Sequence, residues 1–283
     1  MHHTINKTTS KIGVALATVI ADSFDTTRIT TLELVYPRYI HAELMTHRVF
    51  SRNASSSRAT PLKVTCEDVL SAPAFFDSLG INKSGMSAGA ELSSDDKAAF
   101  YHDWCGLAQS TVKWVEAMQV KYNLHKQILN RALEPFLNIR VLVTATDWDN
   151  FFRLRLAPDA QPEMQSLAKA MRTAMELSTP MTTKHHLPYI SAHEQSSDIN
   201  DNEALSLISV ARCARVSYAS HDGKVTTLEQ DLSLAKRLLN SGHLSPFEHV
   251  AISTPHEKYA NLQGWSSYRS QLEANKDAKS EIN

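Results

Sequence analysis

Apolar positions along the chain follow two periods, one typical of strands and one typical of helices. Short runs rich in β-branched residues predict buried strands. Three such runs are IGVALATVIA (12–21), TTLELVYP (30–37) and NIRVLVTAT (138–146). Since proline cannot donate to a strand ladder, we expect the second run to end at Pro37.

Helical spacing and capping signals predict the helices. RYIHAELMTHRVF (38–50) places Ile40, Leu44 and, less regularly, Val49 at helical intervals. A glycine- and serine-rich loop over 75–96 leads to Ser93 or Ser94, which we expect to cap a helix running to Asn123. Further helices are predicted for HKQILNRALEP (125–135) and for LEQDLSLAKRLLNSG (228–242), the latter closed by Gly242. A long helix is predicted to begin near Pro158, and its apolar face carries Met164, Leu167, Met171 and Met175.

Helices therefore alternate with strands, and the predicted class is α/β or α+β. Length permits one large domain or two small ones, and we expect a single domain over residues 1–283. HVAISTP followed by HEKYANLQGWSSYRSQL (249–272) repeats the predicted plan of LELVYP followed by RYIHAELMTHRVFSRN (32–53), namely strand, proline and helix. This internal similarity favours a permuted or partly duplicated unit.

Composition excludes several classes of protein. The chain has 283 residues, 42% hydrophobic and 21% charged, which is enough for a full core and excludes a disordered tail. A net charge of -1 gives no general footprint for nucleic acid, so any anion site must be local. Three widely spaced cysteines indicate free thiols in a reducing cytoplasm. The segment IGVALATVIA, preceded by Lys7 and Lys11, also resembles the apolar core of a signal peptide, although a buried strand fits it equally well. No apolar run is long enough to span a membrane.

A cationic cluster lies between His47 and Thr60. These fourteen residues hold three arginines and four serines with no acid and no glycine. Guanidinium forks match phosphate oxygens, and hydroxyls add neutral hydrogen bonds. The cluster lacks the glycine nest of a P-loop, and its alternative interpretation is a solvated basic loop at the end of a helix.

Other candidate sites are ambiguous by themselves. HLSPFEH (243–249) matches no zinc spacing, and its Ser-Pro pair also suits a turn. Arg153 and Arg155 would share one face if their segment is extended, or form surface ion pairs. The dipeptides His221-Asp222 and His185-His186 are too short to indicate a metal site, and we predict no bound metal.

Three segments together resemble the flavin-dependent thymidylate synthases. HRVFSRNASSSRA (47–59) resembles the signature RHRxxSxNxxSxRY, FFRLRLAPDAQPEM (151–164) resembles FLxLRxxxxAQxE, and SGHLSPFEH (241–249) is similar to GHxSPFEH. The order is permuted, since the family has GHxSPFEH before the signature, an arrangement similar to that of divergent relatives carried by bacteriophages. Within the signature, Thr46, Ala54 and Ala59 depart from the pattern. The loss of a polar residue at Ala54 leaves the identity of the base and its activation open, and Thr46 and Ala59 would fit altered flavin or base handling.

The resemblance implies a fold with a central mixed sheet flanked by long helices, and it implies roles for particular residues. Those implied to contact the cofactor are His47, Arg48, Ser51, Asn53, Asn150, His243, Ser245 and Glu248. Those implied to bind the nucleotide are Glu43, Ser56, Ser57, Arg58, Arg131 and Arg155, with Ser56, Arg58 and Arg155 as catalytic candidates.

The implied reaction moves one carbon from methylene-tetrahydrofolate to carbon 5 of deoxyuridylate, with FAD as cofactor and NADPH as reductant. The alternatives are a 5-hydroxymethylase with the same carbon donor, a non-catalytic nucleotide or flavin binder, and a metal-dependent hydrolase built on His221-Asp222. The resemblance also implies a cytoplasmic homotetramer, in the host cytoplasm if phage-encoded, that binds neither nucleic acid nor membrane. Whether the site lies within one chain or between chains stays open at this point.

Overall fold

A computed structural model describes residues 8–196, 201–217 and 226–280. Its centre is a mixed sheet of strand order β1-β2-β3-β5-β4, in which a short β6 pairs with β2 in parallel and the other neighbours are antiparallel. The strands are β1 Thr9–Ile12, β2 Ala15–Phe24, β3 Arg28–Pro37, β4 Ser51–Ala54, β5 Asn138–Ala145 and β6 Met181–Thr182. The three predicted strands and the mixed α+β class are confirmed.

The long helix α6 (Pro162–Glu176) covers one face of this sheet. Alternation along β5 sends Ile139, Val141 and Val143 into that core, while Leu142 packs on the opposite face. The predicted apolar face of α6 is confirmed, because Met164, Leu167, Met171 and Met175 are all buried there. The helix begins at Pro162, later than expected, since a proline is best tolerated in the first turn.

A helical layer follows β4 in sequence and has its own core. It consists of α2 Leu62–Ser71, α3 Ser94–Tyr122 and α4 Lys126–Leu133. The predicted cap is confirmed, because the Ser93 hydroxyl accepts a hydrogen bond from the Asp96 amide. Asn123 adopts the left-handed conformation (φ 50°) that ends α3.

The final third of the chain covers the second face of the central sheet. It contains a three-stranded sheet of β7 His185–His186, β8 Ala251–Tyr259 and β9 Leu262–Ser267, together with α7 Ala192–Ser196, α8 Asn202–Arg215, α9 Leu228–Asn240 and α10 Tyr268–Ser280. Gly242 follows α9 with φ +71°, as its predicted role requires. None of the helices in the described ranges is long and apolar enough to cross a bilayer.

Two predictions of local structure are wrong. The helix over 38–50 is only a 3₁₀ turn (Arg38–Ile40) and α1 (His41–Leu44), because the Arg52 guanidinium draws the Met45 and His47 carbonyls out of the helical pattern. Residues 256–267 form a β8-β9 hairpin and not a helix. The strand-proline-helix plan is therefore not repeated, and the internal similarity of the two segments no longer supports a duplication.

Two observations characterise the hairpin and exclude a helix. Its backbone takes positive φ at His256, Ala260 and Gly264, which a helix cannot accommodate. The buried Trp265 also donates a hydrogen bond of 2.9 Å to the Thr27 carbonyl, which fixes β9 against the β2-β3 turn.

Candidate active site

The Arg/Ser cluster is partly a strand and not only a loop, which corrects the sequence prediction. Ser51–Ala54 form β4 at the edge of the central sheet, with Ser51 opposite Thr144 and Ala54 opposite Val141. Pairing with β5 fixes this segment, so its side chains alternate between the two faces of the sheet. The serines that follow begin where the strand ends.

Arg155 is held by residues at the start of the cluster. Its Nε donates to His47 Nε2 at 2.9 Å, Nη1 donates to Glu43 Oε2 at 3.3 Å, and Nη2 donates to Thr46 Oγ1 at 3.3 Å and the Glu43 carbonyl at 3.5 Å. The side chain is 20% exposed. Burial, the Arg155 charge and the Arg52 charge lower the pKa of His47, so its imidazole is neutral and its Nε2 is free to accept. The structure thus joins three predicted site residues, Glu43, His47 and Arg155.

The segment carrying Arg155 is helical, which corrects the extended alternative. Helix α5 (Asp149–Arg155) places Phe151 one turn before Arg155, and both meet His47. The Phe151 ring stands edge-on to the imidazole at 4.9 Å. Arg153 and Arg155 therefore do not share a face, and Arg153 instead donates to Asn150 Oδ1 at 2.7 Å on the surface.

A second group of predicted residues meets at one carboxylate. Glu134 Oε1 accepts from Ser57 Oγ at 2.8 Å, from Arg131 Nη1 at 2.9 Å and from Arg38 Nη2 at 3.2 Å. Glu134 was not among the predicted site residues, although its position three residues after Arg131 on a helical segment was a usable signal. Asn130 reinforces the junction by donating to the Ser57 carbonyl at 2.7 Å.

Ser56 lines a cavity of about 330 Å³ beside this junction, together with Arg38 and Arg140. Its Oγ accepts from the Arg58 amide at 3.3 Å. Within the described ranges, the exposed side chains of Arg48 and Arg58 form no ion pair. Both guanidiniums are therefore free to meet an anion.

Ser51 and Asn53 are buried against the C-terminal layer. Asn53 Nδ2 donates to the Cys213 carbonyl at 2.9 Å, and its Oδ1 accepts from Ser217 Oγ at 2.7 Å. Ser51 Oγ accepts from Asn261 Nδ2 at 3.0 Å. These contacts fix β4 in place, and a role for either residue toward the cofactor stays a prediction.

The HLSPFEH segment lies beside the Arg/Ser cluster in the same chain. Its 3₁₀ turn (Ser245–Glu248) packs against β4, and the Glu248 charge acts on the Arg52 guanidinium. Glu248 Oε1 accepts from Arg269 Nη1 at 2.7 Å, while His243 and Ser245 are exposed. The permuted order is therefore compatible with the two motifs meeting inside one molecule.

A buried row of hydrogen bonds crosses the sheet beneath this segment. It runs from Ser23 Oγ to His186 Nδ1 (2.9 Å), from His186 Nε2 to Thr31 Oγ1 (2.7 Å), on to Thr144 Oγ1 (2.6 Å) and to His249 Nδ1 (2.8 Å). His249 Nε2 is buried, and no hydrogen-bond partner for it lies among the described residues. Burial lowers the pKa of His186 and of His249 to about 3, so both rings are neutral.

The described residues contain no cluster of His, Cys, Asp or Glu suited to a metal. His186 is engaged in the buried row, and His221-Asp222 lies outside the described residues. The three cysteines are free, and burial raises the thiol pKa of Cys66 and Cys213.

The protein is therefore an α+β protein whose central mixed sheet carries a cationic site at its edge strand. The family model described as thymidylate synthase complementing protein matches residues 24–181, which is more than half of the chain. The chain belongs to this family, that of the flavin-dependent thymidylate synthases. A search of curated proteins found no match.

Remote solved structures are also similar. One is a UMP/dUMP methylase, PolB from Streptomyces cacaoi bound with 5-Br UMP, with 18% identity over 52% of this chain and 68% of that chain and a TM-score of 0.43. Another is Thymidylate Synthase X from Helicobacter pylori with FAD and dUMP, with 17% identity over 52% of this chain and 67% of that chain and a TM-score of 0.38. Similarity this remote does not assign a ligand.

Proposed function

We propose that the protein transfers a one-carbon unit from methylene-tetrahydrofolate to carbon 5 of deoxyuridylate, with FAD as cofactor and NADPH as reductant. The observation that carries this proposal is the family match over residues 24–181, which includes both the Arg/Ser cluster and Arg155. The hydrogen bond of 2.9 Å between Arg155 and His47 supports it, because it links two of the motifs on which the resemblance rests.

The donors of the cluster fit two phosphorylated ligands. Arg48 and Arg58 are exposed, and no acidic residue lies between His47 and Thr60 to neutralise them. A nucleotide monophosphate and the pyrophosphate of FAD both need cations and hydroxyl donors. We assign Arg48 and His47, with Ser51, Asn53, Asn150, His243, Ser245 and Glu248, to the cofactor side, and Ser56, Ser57, Arg58 and Arg131 to the nucleotide side.

Arg155 is the residue that we propose to polarise the pyrimidine ring. A guanidinium has five N–H donors, and the four hydrogen bonds to His47, Glu43 and Thr46 leave one N–H for a base carbonyl. A preorganised donor stabilises the negative charge that develops as carbon 5 becomes nucleophilic. Glu43 and neutral His47 orient the guanidinium, so they act as positioning groups.

The residues assigned to the cofactor side would hold reduced FAD, which when bound would supply the hydride that completes the methyl group. No cysteine nucleophile is needed, and buried thiols of raised pKa such as those of Cys66 and Cys213 are poor nucleophiles. The chain binds, orients and polarises. We further propose a single catalytic domain that assembles as a homo-oligomer in a reducing cytoplasm, the compartment that free cysteines fit.

The test is anaerobic incubation with reduced FAD, methylene-tetrahydrofolate and either deoxyuridylate or deoxycytidylate, followed by mass analysis of the nucleotide. We expect deoxyuridylate to gain the mass of one CH₂ group. A gain of CH₂O would identify the hydroxymethylase instead, and an unchanged nucleotide with both substrates would refute one-carbon transfer.

A binding experiment tests the nucleotide side separately. Arg58→Ala should weaken deoxyuridylate binding by about 1.5 to 3 kcal/mol, the scale of a lost charge-assisted hydrogen bond. The matched control is Arg172→Ala, which removes a guanidinium from a surface pair on α6. Equal affinities of the two variants for deoxyuridylate in calorimetric titration would show that Arg58 does not bind the nucleotide.

A further inference from the structure

Three donors converge on one carboxylate oxygen of Glu134. Its Oε1 accepts hydrogen bonds from Ser57 Oγ at 2.8 Å and from Arg131 Nη1 at 2.9 Å, and Arg38 Nη2 lies 3.2 Å away. The donors belong to separate parts of the fold, namely the loop after β4, helix α4 and the 3₁₀ turn after β3. An anion at this point is therefore held by three segments at once.

A carboxylate matches these donors poorly in charge and in shape. Arg38 and Arg131 carry two positive charges, since arginine stays protonated in proteins, whereas Glu134 supplies one negative charge. Arginine binds a carboxylate best through two parallel hydrogen bonds, but here Oε1 receives all three donors and Oε2 receives none of them. A phosphate monoester carries about -1.5 to -2 charge at pH 7 and three acceptor oxygens, so it offers each donor an oxygen of its own.

The donors are held in place by contacts that do not involve the Glu134 side chain. Asn130, which is fully buried, donates to the Ser57 carbonyl at 2.7 Å and so fixes the loop after β4. The Arg38 amide donates to the Leu137 carbonyl at 2.8 Å. The Glu134 side chain itself is 25% exposed. Its carboxylate can therefore turn toward solvent while the donors keep their positions.

A cavity of about 330 Å³, within the range of small-molecule sites, adjoins these donors. Its lining includes Arg38, Ser56, Ser57, Asp68 and Arg140. Glu33 pairs with Arg140 at 2.8 Å, and Asp68 is the one acid of the described lining. The cavity is therefore nearly neutral while Glu134 is in place, and a phosphate gains the attraction of Arg38 and Arg131 only when the carboxylate leaves them.

We propose that the Glu134 carboxylate occupies a phosphate subsite formed by Arg38, Arg131 and Ser57, and that the phosphate of the bound nucleotide displaces it. The inference rests on the proposed function for the identity of that nucleotide. It adds Arg38 as a phosphate ligand and Glu134 as a determinant of specificity, because a nucleoside without a phosphate brings no charge with which to displace the carboxylate.

Calorimetric titration of Glu134→Gln tests the inference by the sign of the effect. Glutamine keeps the size and an acceptor oxygen of the side chain but removes the charge that competes with phosphate. Deoxyuridylate and inorganic phosphate should bind about fivefold more tightly than they bind the unmodified protein, the factor that corresponds to about 1 kcal/mol for a partly exposed ion pair. The affinities for deoxyuridine and for FAD should not change. If Glu134 served only to hold Arg131 and Ser57, its replacement would weaken phosphate binding instead.

Two further variants complete the test, with all titrations at one ionic strength. The matched control is Glu176→Gln, which neutralises an exposed carboxylate paired with Arg172 on α6 and should leave every affinity unchanged. Arg38→Gln should weaken binding of deoxyuridylate by about tenfold or more, the scale of a lost charge-assisted hydrogen bond. Circular dichroism establishes that each variant is folded, and the Arg38→Gln result decides the matter if Glu134→Gln does not fold.

Three results would each overturn the inference. They are unchanged or weaker binding of deoxyuridylate and inorganic phosphate by folded Glu134→Gln, undiminished binding of deoxyuridylate by Arg38→Gln, and a gain in affinity for FAD in place of deoxyuridylate. The titrations contain no carbon donor, so they are independent of the reaction. One-carbon transfer without the gain in affinity would refute this inference alone, whereas the gain without transfer would refute the proposed reaction alone.

Discussion

Removing one hydroxyl from the buried row tests whether this row holds the C-terminal layer on the sheet. Thr144 is fully buried, and its Oγ1 lies 2.6 Å from Thr31 Oγ1 and 2.8 Å from His249 Nδ1. Thr144→Val keeps the shape of the side chain, so no cavity forms, but both hydrogen bonds are lost.

The expected loss of stability follows from the hydrogen bonds that remain in the Thr144→Val variant. Thr31 keeps its hydrogen bond to His186, so the loss of its bond to Thr144 costs about 1 kcal/mol. A buried nitrogen left without any partner costs about 1 to 3 kcal/mol. That nitrogen is His249 Nδ1, and the ring then has no hydrogen bond in the described part of the chain, because its Nε2 already lacks a partner there. We therefore expect a decrease of about 2 to 4 kcal/mol in the free energy of unfolding.

The assay is urea denaturation followed by circular dichroism, with the stability change taken from the midpoint at constant slope. The control is Thr18→Val, which breaks a threonine pair of 3.1 Å at an exposed site between β1 and β2 and should change stability by less than about 0.5 kcal/mol. If Thr144→Val is no more destabilising than Thr18→Val, the buried row does not stabilise the packing of the two layers.

Three further predictions concern pH, chemistry and backbone geometry. The folded pKa of about 3 for His186 and His249 lies below the unfolded value near 6.5, so the unfolded chain binds more protons and stability is lost as pH falls. Between pH 7.5 and 5.5 we expect a loss of about 1.4 kcal/mol per histidine in urea titrations, a window that lies above the pKa values of ordinary carboxyl groups. Arg155→Gln should lower kcat by about 100-fold or more, the scale of one lost transition-state donor, in a steady-state assay. Gly264→Ala should destabilise the protein by about 1 to 2 kcal/mol in a thermal melt, because φ is +72° and the new Cβ would lie 2.9 Å from the Thr27 hydroxyl.

Each of these predictions has a contrasting outcome. Stability independent of pH over that window would mean that the two imidazoles are not held neutral. Arg172→Gln, a surface change on α6, should leave kcat unchanged, and an equal loss in both variants would dismiss the role of Arg155. Gly106→Ala is the backbone control, since it lies within α3 with nothing near its Cβ position and should stabilise the protein.

Local sequence was sufficient where neighbouring residues decide the structure. The Ser93 cap, the Pro37 strand end, the Gly242 helix end and the methionine face of α6 were all predictable. Each depends on hydrogen bonds or steric limits among residues only a few positions apart. The family resemblance was visible for the same reason, because its motifs are contiguous.

Sequence failed where a distant contact outweighs local preference. Residues 45–50 leave the helix because Arg52 binds their carbonyls and β4 pairs with β5, and residues 256–267 form a hairpin because Trp265 is fixed against the β2-β3 turn. Neither partner can be identified from periodicity alone. Tertiary pairing overrides helical propensity that amounts to only fractions of a kcal/mol per residue.

By itself, then, the sequence determined which side chains are available for the site and most of the elements that carry them. Only the tertiary structure decided that Arg155 lies on His47 and Glu43, that Glu134 joins Ser57 to Arg131, and that HLSPFEH packs against β4 despite its permuted position. The physical reason is that these contacts join residues far apart in the chain, and burial of the two sheet faces, not local propensity, brings them together.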